Sequence, residues 1–162
     1  MIVVSDTSPI TNLAAIGHID LLPRLFAQVI IPDAVALELA ACPAGAPGFV
    51  DVSSCDWLVA RPVEKPSVAA ALSLDLDIGE AETLALALEV GAAVVLMDER
   101  RGRRLAQRLG LRPLGLLGIL VKAKRDGAIE RVKPLLDSLI SEAGFWIGPE
   151  LYSKVVREVS ED

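Results

Sequence analysis

The chain has 162 residues and a formal net charge of −6. That is enough for one domain with a single core, and too acidic for a non-specific polyanion binder, whose affinity rests on Lys and Arg neutralising phosphates. Hydrophobic residues make up 52% of it, but only three Phe, two Trp and one Tyr, which excludes an extended aromatic platform for stacking bases and suits an aliphatic α/β core.

The first residues, Ile2-Val3-Val4-Ser5, form an apolar run that stops at Asp6-Thr7-Ser8-Pro9 and reads as a buried strand. Pro9 suits the first turn of a helix, with Thr7 or Ser8 as its cap. A helix is expected over Ile19–Phe26 and a strand over Val29–Ile31; Pro32-Asp33 then opens a helix through Ala34–Ala41. Pro43, Gly45, Pro47 and Gly48 make Cys42–Val50 a loop. Trp57–Ala60 reads as a strand, Pro62–Pro66 as a break and Val68–Leu74 as a helix. Gly79–Glu89 is a helix ended by Gly91, and Ala93–Met97 is the clearest strand, finishing at Asp98. Arg100–Leu109 is helical as far as Gly110, and Pro113-Leu114 is a short strand. Helices follow over Leu116–Arg125, Glu130–Glu142 and Pro149–Glu158, before an acidic tail expected to fray.

Strands alternate with helices, and the strands are continuous apolar runs. That pattern marks an α/β fold of three layers, a central mostly parallel sheet flanked by helices, in a single domain over 1–162. The longest uncharged apolar stretches, Val90–Met97 and Pro113–Val121, fall far short of a bilayer span. The start has no basic leader region, and Cys42 and Cys55 are too few for a disulfide framework or a zinc site, so a cytoplasmic location is expected.

Asp6 and Asp98 each follow a central strand, at the sheet edge where open α/β folds bind ligands. Each could equally cap the helix that follows it. Glu38 stands in an otherwise apolar helix, whereas Glu80 and Glu82 lie in the first turn of theirs, where the helix dipole alone favours an acid. Two carboxylates about 5 Å apart repel by roughly 3 kcal/mol at an effective dielectric near 20. Three or four held together call for protons or a hard cation, and oxygen-only ligands favour Mg²⁺ or Mn²⁺. The other catalytic apparatus is thin. His18 is the only histidine, too little for a serine triad, and no phosphate-binding or dinucleotide glycine fingerprint occurs. A phosphotransferase built on an aspartyl nucleophile would need a second Asp where Ser8 stands.

Together these segments resemble a PIN domain, the fold of VapC-type toxin ribonucleases, and in particular a bacterial and archaeal branch described as predicted nucleic-acid-binding proteins. The resemblance covers essentially the whole chain. It rests on Ser5-Asp6-Thr7-Ser8-Pro9-Ile10, on Ile31-Pro32-Asp33-Ala34-Val35-Ala36-Leu37-Glu38-Leu39, on Gly79-Glu80-Ala81-Glu82-Thr83-Leu84-Ala85-Leu86-Ala87, on Val95-Leu96-Met97-Asp98-Glu99-Arg100-Arg101-Gly102-Arg103 and on Leu114-Gly115-Leu116-Leu117-Gly118-Ile119-Leu120. It implies that Asp6, Glu38, Glu80 and Asp98 form an acidic catalytic and metal-binding set. Ser8 would support the first Asp, with Glu82 and Glu99 in outer supporting places. Glu80 is preferred to Glu82 because Gly91 lies 11 residues beyond it, the register usual in PIN domains.

Arg100, Arg104 and Arg108 share one face of the helix after Asp98, with Arg101 close by and Arg103 on the same helix. They form either a solvated face or a phosphate-steering patch beside the acids. The expected activity is a Mg²⁺- or Mn²⁺-dependent endoribonuclease, the toxin of a toxin–antitoxin pair. The alternative is a degenerate PIN domain that binds RNA or protein without cutting. The resemblance also implies an RNA substrate, a homodimer and a small antitoxin, with no membrane partner.

Overall fold

In the computed structural model, which describes residues 1–162, every strand is parallel to its neighbours. The strands are β1 (Val3–Ser5), β2 (Val29–Pro32), β3 (Leu58–Arg61), β4 (Val94–Leu96) and β5 (Pro113–Leu114), laid side by side in the order β3-β2-β1-β4-β5. The helices are α1 (Thr7–Ala15), α2 (Leu21–Phe26), α3 (Asp33–Ala41), α4 (Pro66–Leu72), α5 (Ile78–Val90), α6 (Arg100–Arg108), α7 (Leu116–Arg125), α8 (Lys133–Ser141) and α9 (Pro149–Glu158).

Alternation along the strands divides the core. Val3, Val29, Ile31, Leu58 and Leu96 join a cluster of 26 buried residues with α1, α2, α3, α7, α8 and α9. Val4, Ile30 and Val95 turn to the other face and pack with α5 and Ala106 of α6 in a cluster of 10. This is the three-layer α/β arrangement, and it explains why the strands read as unbroken apolar runs: both faces are covered.

The chain runs outward from β1 through β2 to β3, then returns across β1 to lay down β4 and β5. The order therefore reverses at β1 and β4, which opens a crevice at their carboxyl ends. Pairing of Val3 with Val94 and Ser5 with Leu96 sets the register there, and the Asp6 amide continues it by donating to the Leu96 carbonyl at 2.9 Å.

Several expected boundaries move, each for a local reason. The helix expected from Ile19 begins at Leu21, because Leu21 and Leu22 donate to the His18 and Ile19 carbonyls in tighter turns first. The helix expected from Val68 starts at Pro66, whose fixed φ suits a first helical position. The helix expected over Glu130–Glu142 is α8, which starts at Lys133, and the amides of Val132 and Lys133 donate to Glu161. That last contact also corrects the expectation of a frayed tail. The Glu161 side chain is only 4% exposed and accepts from Lys124 Nζ at 2.9 Å, with Arg131 Nε 3.6 Å away. No helix is long and apolar enough to cross a membrane.

Candidate metal centre

Asp6 and Asp98 reach the crevice from adjacent strands. Strand spacing of about 5 Å with a shift of roughly one residue separates their backbones. Asp6 is 7% exposed and occupies the N-cap position of α1, yet its side chain makes no capping hydrogen bond. Burial pushes its carboxyl up to about 7; the nearby Thr7 amide works against that rise, and the charges of Glu80, Asp77 and Glu38 add to it. Asp6 is thus a buried acid with no side-chain cap bond whose nearest charges are other carboxylates.

Asp98 caps a helix, but not the one that follows it. Its Oδ1 accepts the Leu116 amide at 2.7 Å, at the start of α7, while Glu99 occupies the N-cap position of α6. Its Oδ2 accepts from the Ser8 hydroxyl at 3.1 Å. Burial raises the Asp98 carboxyl, against the lowering effects of the Leu116 amide, the Ser8 hydroxyl and Arg103; Glu99 adds to the rise. Ser8 thus supports the second aspartate of the pair and not the first, the reverse of the expectation. The reason is geometric: Ser8 lies in the first turn of α1, beside the end of β4. Asn12 holds the same hydroxyl from one turn on, its Nδ2 3.0 Å from Ser8 Oγ.

Neither Thr7 nor Ser8 caps α1, as was expected of one of them. Thr7 lies inside the helix and its hydroxyl donates to Glu38 Oε2 at 2.5 Å. Glu38 projects from α3 to lie against Gly79, where any Cβ would collide with its carboxylate. Glycine at that position lets α3 and α5 approach and carries Glu38 toward the crevice.

Glu80 behaves in part as the plainer reading of an acid in a first turn suggests. It is 6% exposed and completes a capping box: Asp77 Oδ1 accepts the Glu80 amide at 2.8 Å, and Glu80 Oε2 accepts the Asp77 amide at 3.1 Å. Burial raises its carboxyl; the Asp77 amide lowers it, and the charges of Asp77 and Glu99 raise it again. Glu82 Oε1 accepts the Ala34 amide at 3.3 Å and ties α5 to the start of α3. Glu99 is exposed, and its charge acts on both Asp98 and Glu80.

The sequence reading missed one site residue, Asp77, and the action of Arg103 on Asp98. Asp77 acts on Asp6 and Glu80, and the signal was present in the Asp77-Ile78-Gly79-Glu80 spacing of a capping box. Arg103 lowers the Asp98 carboxyl, and its Nη1 and Asp98 Oδ1 would each lie 3.2 Å from a Cβ placed on Gly115. Arg100, Arg101, Arg104 and Arg108 are exposed on α6. Arg101 Nη1 donates to the Asp75 carbonyl at 3.1 Å, and none of the four forms an ion pair.

No three acidic, cysteine or histidine side chains are drawn into a single coordination sphere; Glu38, Glu80 and Asp98 are each turned to a hydroxyl or amide donor instead. By donor chemistry the residues nevertheless fit a hard divalent cation. All are carboxylates, and burial raises those of Asp6, Glu80 and Asp98.

A doubly wound parallel sheet with carboxylates at its switch point defines an α/β protein with an acidic sheet edge. A family model described as a PIN domain matches residues 2–161. The chain therefore belongs to the PIN-domain family, which implies nuclease-type chemistry and, as is usual for the family, a divalent metal. No curated protein matches it.

Proposed function

We propose that this protein is a Mg²⁺- or Mn²⁺-dependent endoribonuclease, the toxin of a toxin–antitoxin pair. The observation that carries the reading is the delivery of Asp6 and Asp98 side by side at the β1–β4 switch point, with Asp6 buried and uncapped. Asp6, Glu38, Glu80 and Asp98 would hold the cation. Bound there, a divalent ion supplies charge compensation for a phosphoryl oxygen and a lowered water pKa.

The protein's own groups supply the rest. Ser8 and the Leu116 amide fix the Asp98 carboxylate, Thr7 orients Glu38, and the Asp77 amide holds Glu80. Asp6, whose carboxyl burial raises in the metal-free protein, would give up its proton as the cation binds. Glu82 and Glu99 support the site, Glu82 by fixing α3 against α5 and Glu99 by its charge. Arg100, Arg101, Arg104 and Arg108 form an exposed cationic stripe suited to drawing RNA in from solution, which offsets the net charge of −6 locally. A homodimer and a small antitoxin that covers the crevice complete the proposal, in the cytoplasm.

The test is cleavage of single-stranded RNA with Mn²⁺ and with chelator. Cleavage that needs the cation and is lost in Asp6→Asn and Asp98→Asn supports the reading; cation-independent cleavage defeats it. The engagement of Glu80 in a capping box favours one other reading, a PIN domain that binds RNA or protein without cutting. Tight Mn²⁺ binding with no turnover would select it.

A further inference from the structure

A groove of about 720 Å³ leads away from the acidic crevice along the edge strand β5, between α7 and α9. Asp98, Arg103 and Gly115 line it together, so the groove and the candidate metal centre share a wall. Its cations are Arg103, Arg112, Lys122, Arg125 and Lys154, against the carboxylates of Asp98, Asp126 and Glu158. One pair is already neutralised, since Lys122 Nζ lies 2.8 Å from Asp126 Oδ2. Arg103, Arg112, Arg125 and Lys154 are exposed and in no ion pair.

The groove also contains Trp146, the most exposed aromatic ring of the chain at 84%, beside partly buried Phe145. The indole rests against Gly148, where a Cβ would come within 3.3 Å of Cη2, and is not absorbed by the core. An exposed indole costs solvation free energy unless something covers it. Free cations beside an exposed ring, in a protein whose net charge is −6, make a local exception to the acidic surface.

The geometry points to the β5–α7–α9 groove as the seat of a single-stranded RNA, its phosphates on Arg103, Arg112, Arg125 and Lys154, one base stacked on Trp146, and its backbone led past Gly115 to Asp98. The occupant is a single strand because free cations and an open aromatic face together match a phosphate backbone with unpaired bases. Continuity with Asp98 places that strand at the reacting end. The inference rests on the ribonuclease reading for its purpose, but it is tested by binding alone. It also separates two roles for arginine. The α6 stripe acts at long range on approach, whereas the groove cations contact the bound strand.

The experiment measures binding of a fluorescein-labelled oligouridylate of roughly ten nucleotides, within the span of one single-strand site. It uses the full chain in chelator, over a series of salt concentrations. The combined Arg112→Ala, Arg125→Ala, Lys154→Ala variant is expected to lower the magnitude of the log Kd against log salt slope by about 2. Trp146→Ala should weaken binding about tenfold with an unchanged salt slope, since stacking carries no counterion release. Melting temperature reports that each variant is folded. Unchanged slope and affinity in these variants would overturn the inference, as would losses confined to an Arg104→Ala, Arg108→Ala pair. A sedimentation change in the groove variants without a binding change would overturn it too, by making the groove a face between copies of the chain. Binding that behaves as expected in a protein that never cleaves RNA would sink the nuclease reading and leave the groove standing.

Discussion

Two buried acidic sites in this molecule are built in opposite ways. Around Glu161, a carboxylate meets donors on every side: Lys124 Nζ, the Val132 amide and the Lys133 amide at 2.9, 2.7 and 2.9 Å. Although burial works against its charge, those hydrogen bonds hold Glu161 down at about 2. Around Asp6 the neighbours are other carboxylates, and burial with their charges holds it up at about 7. The first site spends its acid on fastening the tail and α8 to α7. The second keeps an acid without a side-chain cap bond at the mouth of the sheet, which costs stability once it ionises unless a cation compensates it.

The sharpest way to break that contrast is to remove the two aspartates. Asp6→Asn and Asp98→Asn should lower RNA cleavage by about 10² to 10⁴, the several kcal/mol of charge stabilisation expected of a bound cation. Asp6→Asn should also make the metal-free protein more stable at pH 8. The folded carboxyl titrates near 7 against 3.8 for the free group, so its favourable contribution is whole below about pH 4 and is lost as pH rises through 7. Denaturant titration at pH 5 and pH 8 reads this directly: the wild type loses on the order of 3 kcal/mol across that interval relative to the variant. A variant that is inactive and less stable at pH 8 would mean that Asp6 is a structural acid.

Adding the cation should reverse the penalty. Mn²⁺ at about 100 times its Kd should stabilise the wild type by roughly 2.7 kcal/mol and leave Asp6→Asn unmoved. Equal stabilisation of both would place the ion elsewhere. Glu161→Gln should cost about 1 to 2 kcal/mol at pH 7, after allowance for solvent screening, and lower Tm by several degrees with no change in Mn²⁺ affinity. Its sign is opposite to that of Asp6. A depressed carboxyl contributes above pH 4.5 and loses that contribution as pH falls toward 2, so the wild type and the variant should converge in acid.

How far the sequence disclosed these two sites follows from how local their causes are. β1 and β4 were legible because strands covered on both faces must be apolar throughout, and Asp6 and Asp98 because each ends such a run. The Glu80 capping box is also local, a matter of four consecutive residues, and Asp77 belonged to it. Glu161 was not legible. Its partners Lys124 and Val132 lie far back in the chain, and an acidic tail looks solvated until α7 and α8 are docked beneath it. The hydroxyls of Thr7 and Ser8 were misassigned for the same reason. Capping is the default local use of such residues, and only the tertiary fold brings Glu38 and Asp98 into reach. Arg103 differs from the other arginines of α6 by lying beside Asp98 and Gly115, a neighbourhood that only the tertiary fold creates.

The smallest expected effect tests whether the hydroxyl on Glu38 belongs to the site or to the scaffold. Thr7→Val keeps the shape and the β-branch, so α1 should tolerate it. What it removes is one donor to an exposed carboxylate, a bond whose net worth to folding is below about 1 kcal/mol. If Thr7 serves to aim Glu38 at a cation, Mn²⁺ affinity should fall by about tenfold, as loss of an orienting partner weakens a ligand, while Tm stays within about two degrees. If the bond only joins α1 to α3, Tm should fall and the Mn²⁺ titration should be superimposable on that of the wild type. Glu38→Gln supplies the control, because it removes the charge while keeping an acceptor for Thr7. A drop in affinity larger than that of Thr7→Val assigns the hydroxyl to the acidic crevice, and with it the α3 side of the four-carboxylate set.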